Sequence, residues 1–346
     1  MPKAKVTIVV TQRERFSGSR ESLESVYEHT KLPFELIYVD GNSPAHIRSC
    51  LEAEAGNRGF VLVQTDYYLF PNQARNIGLA RVDTEFAVFL DNDIVVSPGW
   101  LEPLLACAEE TGAAAVAPLI CIGRPLHENI HNGGGRTFVT EEREGAILTR
   151  SFRNKDTHGG TRYEGKVSLL GDGIHRGRWD YVEFHCMLVR SEVIACTGPL
   201  DEGLMSTREH IDFCMMVTRC GGKVYMEPGS IVTYLPELPE RSDLEFFMLR
   251  WSDKWHYASM ERFRRKWEFD EVKYKEPGYR RERAYLNPFL NKLPIVARSN
   301  ILKKIFRLAL LFLDRRFISL LMFRNERRQE RLRKGSGGGV RVVSPL

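Results

Sequence analysis

Residues 1–120 alternate between two hydrophobic rhythms. Short, almost uninterrupted apolar runs ("KVTIVVT", "FELIYVD", "GFVLVQT", "FAVFLDND" and "AAAVAPLI") are separated by longer segments with mixed polarity. Those segments are "ESLESVYEHT", "SPAHIRSCLEAEAG", "NQARNIGLARV" and "PGWLEPLLACAEETG". Runs with no polar face read as strands buried on both sides, and helices of roughly 10–15 residues between them are the crossovers of parallel pairing. The pattern predicts an α/β fold whose sheet is parallel or mostly parallel, with helices on both faces.

The rhythm weakens from about Cys121 to Tyr181, where Gly, Arg, Thr and His predominate; this stretch reads as loops and an inserted hairpin. Regular structure resumes at "YVEFHCMLVRSEVIACTG". It continues into "REHIDFCMMVTRCGGKVYMEPGS", a helix closed by glycines and then a strand. Ser242 to Phe269 reads as helical, and so does the final stretch from Ser299 to Lys334, ahead of a Gly/Ser-rich end expected to be flexible. The implied organisation is a main α/β domain over 1–240, a helical extension over 241–297, a basic amphipathic tail over 298–334 and a flexible tail over 335–346. No internal repeat is visible.

Composition narrows the picture. The chain has 346 residues, 43% of them hydrophobic, enough for one large domain with additions or for two average ones. Seven cysteines, an odd number with no C-x-x-C pair, predict buried thiols in a reducing compartment and no zinc site. No leader-like segment precedes the first strand, and no run of about 18 uncharged apolar residues occurs. A cytoplasmic protein without a membrane span is the expectation. The net charge of +5 is a local effect, because residues 298–334 hold 12 Lys/Arg against 3 Asp/Glu and the remainder is slightly acidic. That tail could lie on the cytoplasmic face of an anionic membrane as a peripheral anchor, or dock its apolar side on the main domain or on a second copy. No recognition motif supports a nucleic-acid partner.

The chemistry lies where strands end. Ligands of open α/β sheets bind beyond the carboxyl ends of the strands. "ELIYVD" ends at Asp40, and "FAVFLDND" ends at Asp91 and Asp93. Asp40 could also form a turn with Gly41-Asn42, and the D-x-D could be a solvated loop. Paired carboxylates at a buried edge suit Mg²⁺ or Mn²⁺ holding a diphosphate, since these cations take a few carboxylate oxygens and keep sites for substrate. The segment after the first strand, "TQRERFSG", has no G-x-G-x-x-G, and the chain has no G-x-x-x-x-G-K-[ST]. Dinucleotide oxidoreductases and P-loop NTPases are thereby excluded.

In order along the chain, "TIVVT", "ELIYVDGNS", "NQARNIGLARVDTEFAVFLDND" and "GPLDEGLMSTREHIDFCMMVTRCGGKVYMEP" resemble the inverting family 2 glycosyltransferases of GT-A fold, over roughly Lys5 to Tyr234. The resemblance implies a mostly parallel nucleotide-binding sheet flanked by helices, with a helical C-terminal extension on the acceptor side. It implies a nucleotide-sugar donor (a UDP-sugar by family habit), an acceptor hydroxyl on a surface glycan or lipid-linked saccharide, and Mn²⁺ or Mg²⁺ as cofactor. By the same resemblance Asp40 contacts the donor base, Asp91 the ribose or metal, Asp93 the metal, and Arg75 the diphosphate. Glu209 is then the catalytic base, and Asp201, Glu202 and Asp212 lie on the acceptor side. Two departures stand out: His210 replaces the usual second acid, and Tyr234 stands about where metal-using relatives place a His. His256 lies too far along to align there, and His127, His131, His158, His175 and His185 show no ligand spacing.

The bland readings remain beside these. Arg75 suits phosphate but also a salt bridge, and Glu209 at a helix start is favoured by the helix dipole alone. Trp251 could stack on an acceptor sugar, yet Trp251 and Trp255, four apart on a predicted helix, suit core packing, as do Tyr257 and Trp267. A sugar nucleotidyltransferase and a non-catalytic nucleotide- or glycan-binding relative are the alternatives.

Overall fold

A computed structural model describes residues 4–144, 147–156, 165–169, 174–272, 299–334 and 339–343. His158 and the predicted extension beyond residue 272 fall outside the described residues. At the centre of the sheet, β1 (Val6–Thr11) lies between β2 (Phe34–Gly41) and β4 (Phe86–Asp91), with β3 (Val61–Thr65) beyond β2, all parallel. The helices α1 (Ser19–His29), α2 (Ala45–Arg58) and α3 (Pro71–Leu79) make the crossovers. Every residue of β1 and β4 is buried, which is why these runs show no alternation of polar and apolar positions.

Beyond β4 the sheet becomes mixed. β11 (Cys186–Arg190) runs antiparallel between β4 and β6 (Ala115–Ile122), and β12 (Val224–Tyr234) continues parallel to β6. The short strands β5 (Ile94–Val96) and β7 (Ile130–Asn132) pair with β12 and β6, and β10 (Gly177–Arg178) closes the far side. The helices α4 (Leu101–Thr111), α5 (Val193–Thr197) and α6 (Glu209–Arg219) accompany this half. The expected inserted hairpin is β8 (Gly135–Glu144) with β9 (Ile147–Asp156), joined by β13 (Glu271–Val272) in a second sheet. The sheet has a separate apolar layer on each face, one centred on Trp100, Phe86 and Leu104, the other on Phe89, Phe184 and Val217.

Register explains why the acidic residues meet. Thr11 faces Val39 on one side and Asp91 on the other. Asp40 and Asp91 therefore leave the sheet at the same carboxyl edge, beside the segment 12–15 that follows β1.

Three expectations change. The Ser242–Phe269 stretch is two helices, α7 (Leu244–Arg250) and α8 (Asp253–Lys266), because the Ser252 hydroxyl accepts from the Trp255 N–H at 3.3 Å and starts α8 afresh. Trp251 and Trp255 consequently share no helix face; Trp255 is core, packed with Leu249. Cys196 and Cys220 form a disulfide across a sequence separation of 24, leaving five free thiols in place of the expected seven. Sequence spacing carried no sign of that pairing. Finally, residues 340–343 of the tail expected to be flexible form β14 (Val340–Val343), antiparallel to β3. Before it, α9 (Asn300–Lys334) is the predicted C-terminal helix.

Candidate active site

A cavity of about 140 Å³ opens at the carboxyl edge of the central strands. Asp91 reaches it from the end of β4, Glu183 and His185 from the segment just before β11, and Glu209 from the first position of α6. Arg13 enters from the segment after β1, Arg75 from α3, and Arg250 and Trp251 from the end of α7.

Arg75 is fixed from several sides. It donates to Asp91 Oδ1 at 3.0 Å and to Asn72 at 3.3 Å, and stacks on the Phe184 ring at 4.3 Å. Both members of this ion pair are buried, so loss of one strands the other and costs about 3–5 kcal/mol. Burial raises the Asp91 carboxyl, but His185, Arg75 and Arg13 outweigh it and hold the group below its ordinary value.

Asp93 is the opposite case. Both of its carboxylate oxygens are buried without a hydrogen-bond partner among the described residues. Desolvation pushes its pKa up to about 7; Arg13 opposes this, while Glu14 and Asp91 add to it. A buried, unpartnered carboxylate is costly unless it serves a ligand. Ligand atoms of Asp91, Asp93 and His185 lie within 4.8 Å of one another, and all three residues are buried. Two carboxylates and one imidazole are a donor set that accepts Mn²⁺ or Mg²⁺, so the residues present fit the expected cation.

His185 shows no ligand spacing in the sequence. Here its Nδ1 lies 3.4 Å from Asp91 Oδ2 and its Nε2 3.1 Å from Glu183 Oε2. Burial and Arg13 disfavour its charged form, but the two carboxylates prevail and raise its pKa. The Arg13 guanidinium packs directly against this ring and lies 4.5 Å over the ring of Tyr234. Tyr234, at the position expected to take the place of a metal His, donates its hydroxyl to Glu14 Oε1 at 2.6 Å. Burial raises its pKa well above the ordinary value, so the phenol stays protonated and gives no anionic ligand. The histidine near the acidic pair thus comes from the residue before β11 and not from the end of β12.

Glu209 opens α6 after Arg208, whose φ of 69° turns the chain sharply into the helix. Arg250 bonds Glu209 Oε1 at 3.4 Å and the carbonyl of Arg13 at 3.1 Å, tying the helix start to the segment after β1. Glu209 Oε2 is buried and has no hydrogen-bond partner among the described residues. Trp251 lines the same cavity and donates its indole N–H to Glu14 Oε2 at 3.0 Å. His210 and His256 complete the wall.

The other predicted residues lie outside this lining. Asp40 accepts from the N–H and hydroxyl of Ser43, both at 2.9 Å, so the expected turn exists; burial raises its pKa. Asp201 binds Arg262, and Glu202 accepts from Asn76 at 3.1 Å. Asp212 accepts from Lys266 at 2.7 Å and from the Trp267 indole at 2.8 Å. It joins α6 to α8 and does not face the cavity. Sequence reading missed Arg13, Glu183, His185 and Arg250. Arg13 could have been found, since it directly follows a strand at the binding edge; the others carry no local signal.

Residues 7–161 match the family model Glycosyl transferase family 2. The chain is 26% identical over 235 residues to a pre-mycofactocin glycosyltransferase of Mycobacterium tuberculosis, covering 66% of this chain and 42% of that protein. It is 24% identical to an uncharacterised protein of Sinorhizobium fredii, covering 62% of this chain and 23% of that one. The chain therefore spans less than half the length of these curated relatives. Among solved structures, GalNAc-T7 crystallised with UDP, GalNAc and Mn²⁺ superposes with a TM-score of 0.52 at 18% identity, over 78% of this chain and 55% of that one. The segment that matches glycosyltransferase family 2, residues 7–161, is the one that holds the four parallel strands and the acidic strand end.

Proposed function

We propose that this protein transfers a sugar from a nucleotide-sugar donor to an acceptor hydroxyl with inversion at the anomeric carbon. The observation that carries the reading is that Asp91 and Glu209, from opposite halves of the fold, face one cavity together with three arginines. The donor diphosphate lies toward Asp91, Asp93 and Arg13, and its base toward Asp40. Asp91, Asp93 and His185 would hold Mn²⁺ or Mg²⁺, which supplies charge neutralisation on the departing diphosphate. Arg75 acts chiefly by holding Asp91 in place.

Glu209 takes the acceptor proton at Oε2, the oxygen left unpartnered, while Arg250 steadies Oε1. The acceptor oxygen forms its bond to the anomeric carbon as the bond from that carbon to the diphosphate breaks, and the nucleoside diphosphate leaves with the electron pair. A buried carboxylate in hydrogen-bond reach of the reacting hydroxyl suits this role. Trp251, with its indole N–H held by Glu14, presents a fixed ring to the acceptor side. A surface glycan or a lipid-linked saccharide is the acceptor class that the family suggests.

The test is a panel of nucleotide sugars scored by thermal stabilisation and slow donor hydrolysis, with and without Mn²⁺. Stabilisation by one donor that needs Mn²⁺ in the wild type and vanishes in Asp93→Ala supports the reading. Silence across the panel in both conditions rejects it.

A further inference from the structure

α9 has two sides of opposite character. One side is docked: Ile318, Leu321 and Met322 are buried with Leu249 and Trp255. Asn325 bonds both the N–H and the carbonyl of Tyr68, at 2.8 and 3.1 Å, and Leu332 packs beneath β3 and β14. The helix is therefore held to the domain along its C-terminal half.

The other side is apolar and open over the first six turns. Ile301, Ile305, Leu308 and Phe312 follow one another at helical spacing, with exposures from 54% to 73%. Beside them Phe306, Leu313, Phe317 and Leu320 form a second exposed row. So large a contiguous apolar patch marks a binding surface.

On the same side Arg316 stands among these rows, and Arg324, Arg327 and Arg331 follow them, all four exposed; Arg316 lies over the Phe312 ring at 5.4 Å and Arg327 over Phe323 at 4.3 Å. The occupant must therefore offer hydrocarbon and anionic groups in adjacent layers. The headgroup–acyl boundary of an anionic bilayer does so along its whole surface, whereas the described exposed acids of a second α9 are Glu330 and Glu326, the latter paired with Lys254, against four arginines. No described helix is long and apolar enough to cross a membrane.

We propose that α9 seats the protein on the surface of an anionic lipid bilayer. Its exposed apolar rows enter the headgroup–acyl boundary, and Arg316, Arg324, Arg327 and Arg331 meet the lipid phosphates. This rests on α9 alone and is independent of the catalytic reading.

The experiment is flotation of the full chain with vesicles of phosphatidylcholine alone or with about 30% phosphatidylglycerol. Two variants accompany it, Leu308→Ser/Phe312→Ser and Arg324→Glu/Arg327→Glu. All substituted side chains are exposed, and the two pairs sit on different parts of the helix, so misfolding of one leaves the other as a test. The expected result is recovery on anionic vesicles at least about ten-fold above neutral ones, reduced about ten-fold or more in each variant that keeps the wild-type melting temperature. Equal recovery on both vesicle types, or variants that float like wild type, overturns the proposal. So does a concentration-dependent dimer in sedimentation velocity that Leu308→Ser/Phe312→Ser abolishes, since the partner would then be a second copy.

Discussion

At the scale of single residues, the site is defined by acceptors left unsatisfied. Asp93 contributes both carboxylate oxygens and Glu209 one, and each should separate function from stability in its own way. Glu209→Gln keeps the contact side of the residue but removes the proton acceptor. Turnover should fall about 10²–10⁴-fold with donor affinity unchanged, read by kcat against a donor-binding isotherm. Asp93→Asn removes a buried unpartnered charge. Its melting temperature should equal or exceed that of wild type, while Mn²⁺-dependent stabilisation by donor disappears. Asp91→Asn should do the reverse in part, because it strands buried Arg75; a loss of about 3–5 kcal/mol in urea unfolding is expected. That Asp91, Arg75 and Glu209 stand near the binding edge was legible because they end a strand or lie in the first turns of a helix, whereas Asp40 falls outside the cavity lining. His185, Glu183 and Arg250 were not, since an antiparallel strand from later in the chain and the end of α7 bring them in. Only tertiary structure reveals those meetings.

Among the elements, the four parallel strands and their helices were legible because strands buried on both faces spell themselves as unbroken apolar runs. Packing between them is tight at one point in particular. A Cβ on Gly78 of α3 would lie 2.3 Å from Val9 Cγ1 of β1. Gly78→Ala should therefore destabilise the fold by about 1–3 kcal/mol in chemical denaturation, against the usual helical gain from alanine. The disulfide joins the end of α5 to the end of α6, the helix that presents Glu209. Cys196→Ser should cost about 3 kcal/mol in the loop-entropy account, measured against a wild type shown by alkylation and mass analysis to be oxidised. That pairing and the break between α7 and α8 were hidden for different reasons. Cysteine spacing does not encode connectivity, and the cap of Ser252 on Trp255 looks from sequence like one more polar residue in a helix.

For the molecule as a whole, acid sensitivity follows from a histidine in the cavity wall. Burial, with Arg208 beside it, lowers the His256 pKa to about 4. Below its ordinary value of about 6.5 the unfolded chain takes up a proton that the folded chain refuses, so stability drains away as pH falls from about 6.5 to about 4. His256→Gln should flatten that limb of the melting-temperature profile and leave the profile near pH 8 unchanged. The C-terminal strand matters at this scale too. β3 would be the outer strand of the parallel group, but β14 pairs along it from Val340 opposite Thr65 to Val343 opposite Leu62. Without that strand, a row of N–H and C=O groups on β3 faces solvent beside the apolar Val61–Val63 segment, the template on which chains stack edge to edge. Residues 340–343 thus act as a built-in safeguard against aggregation, and a chain shortened before Val340 is expected to keep its site while losing its solubility.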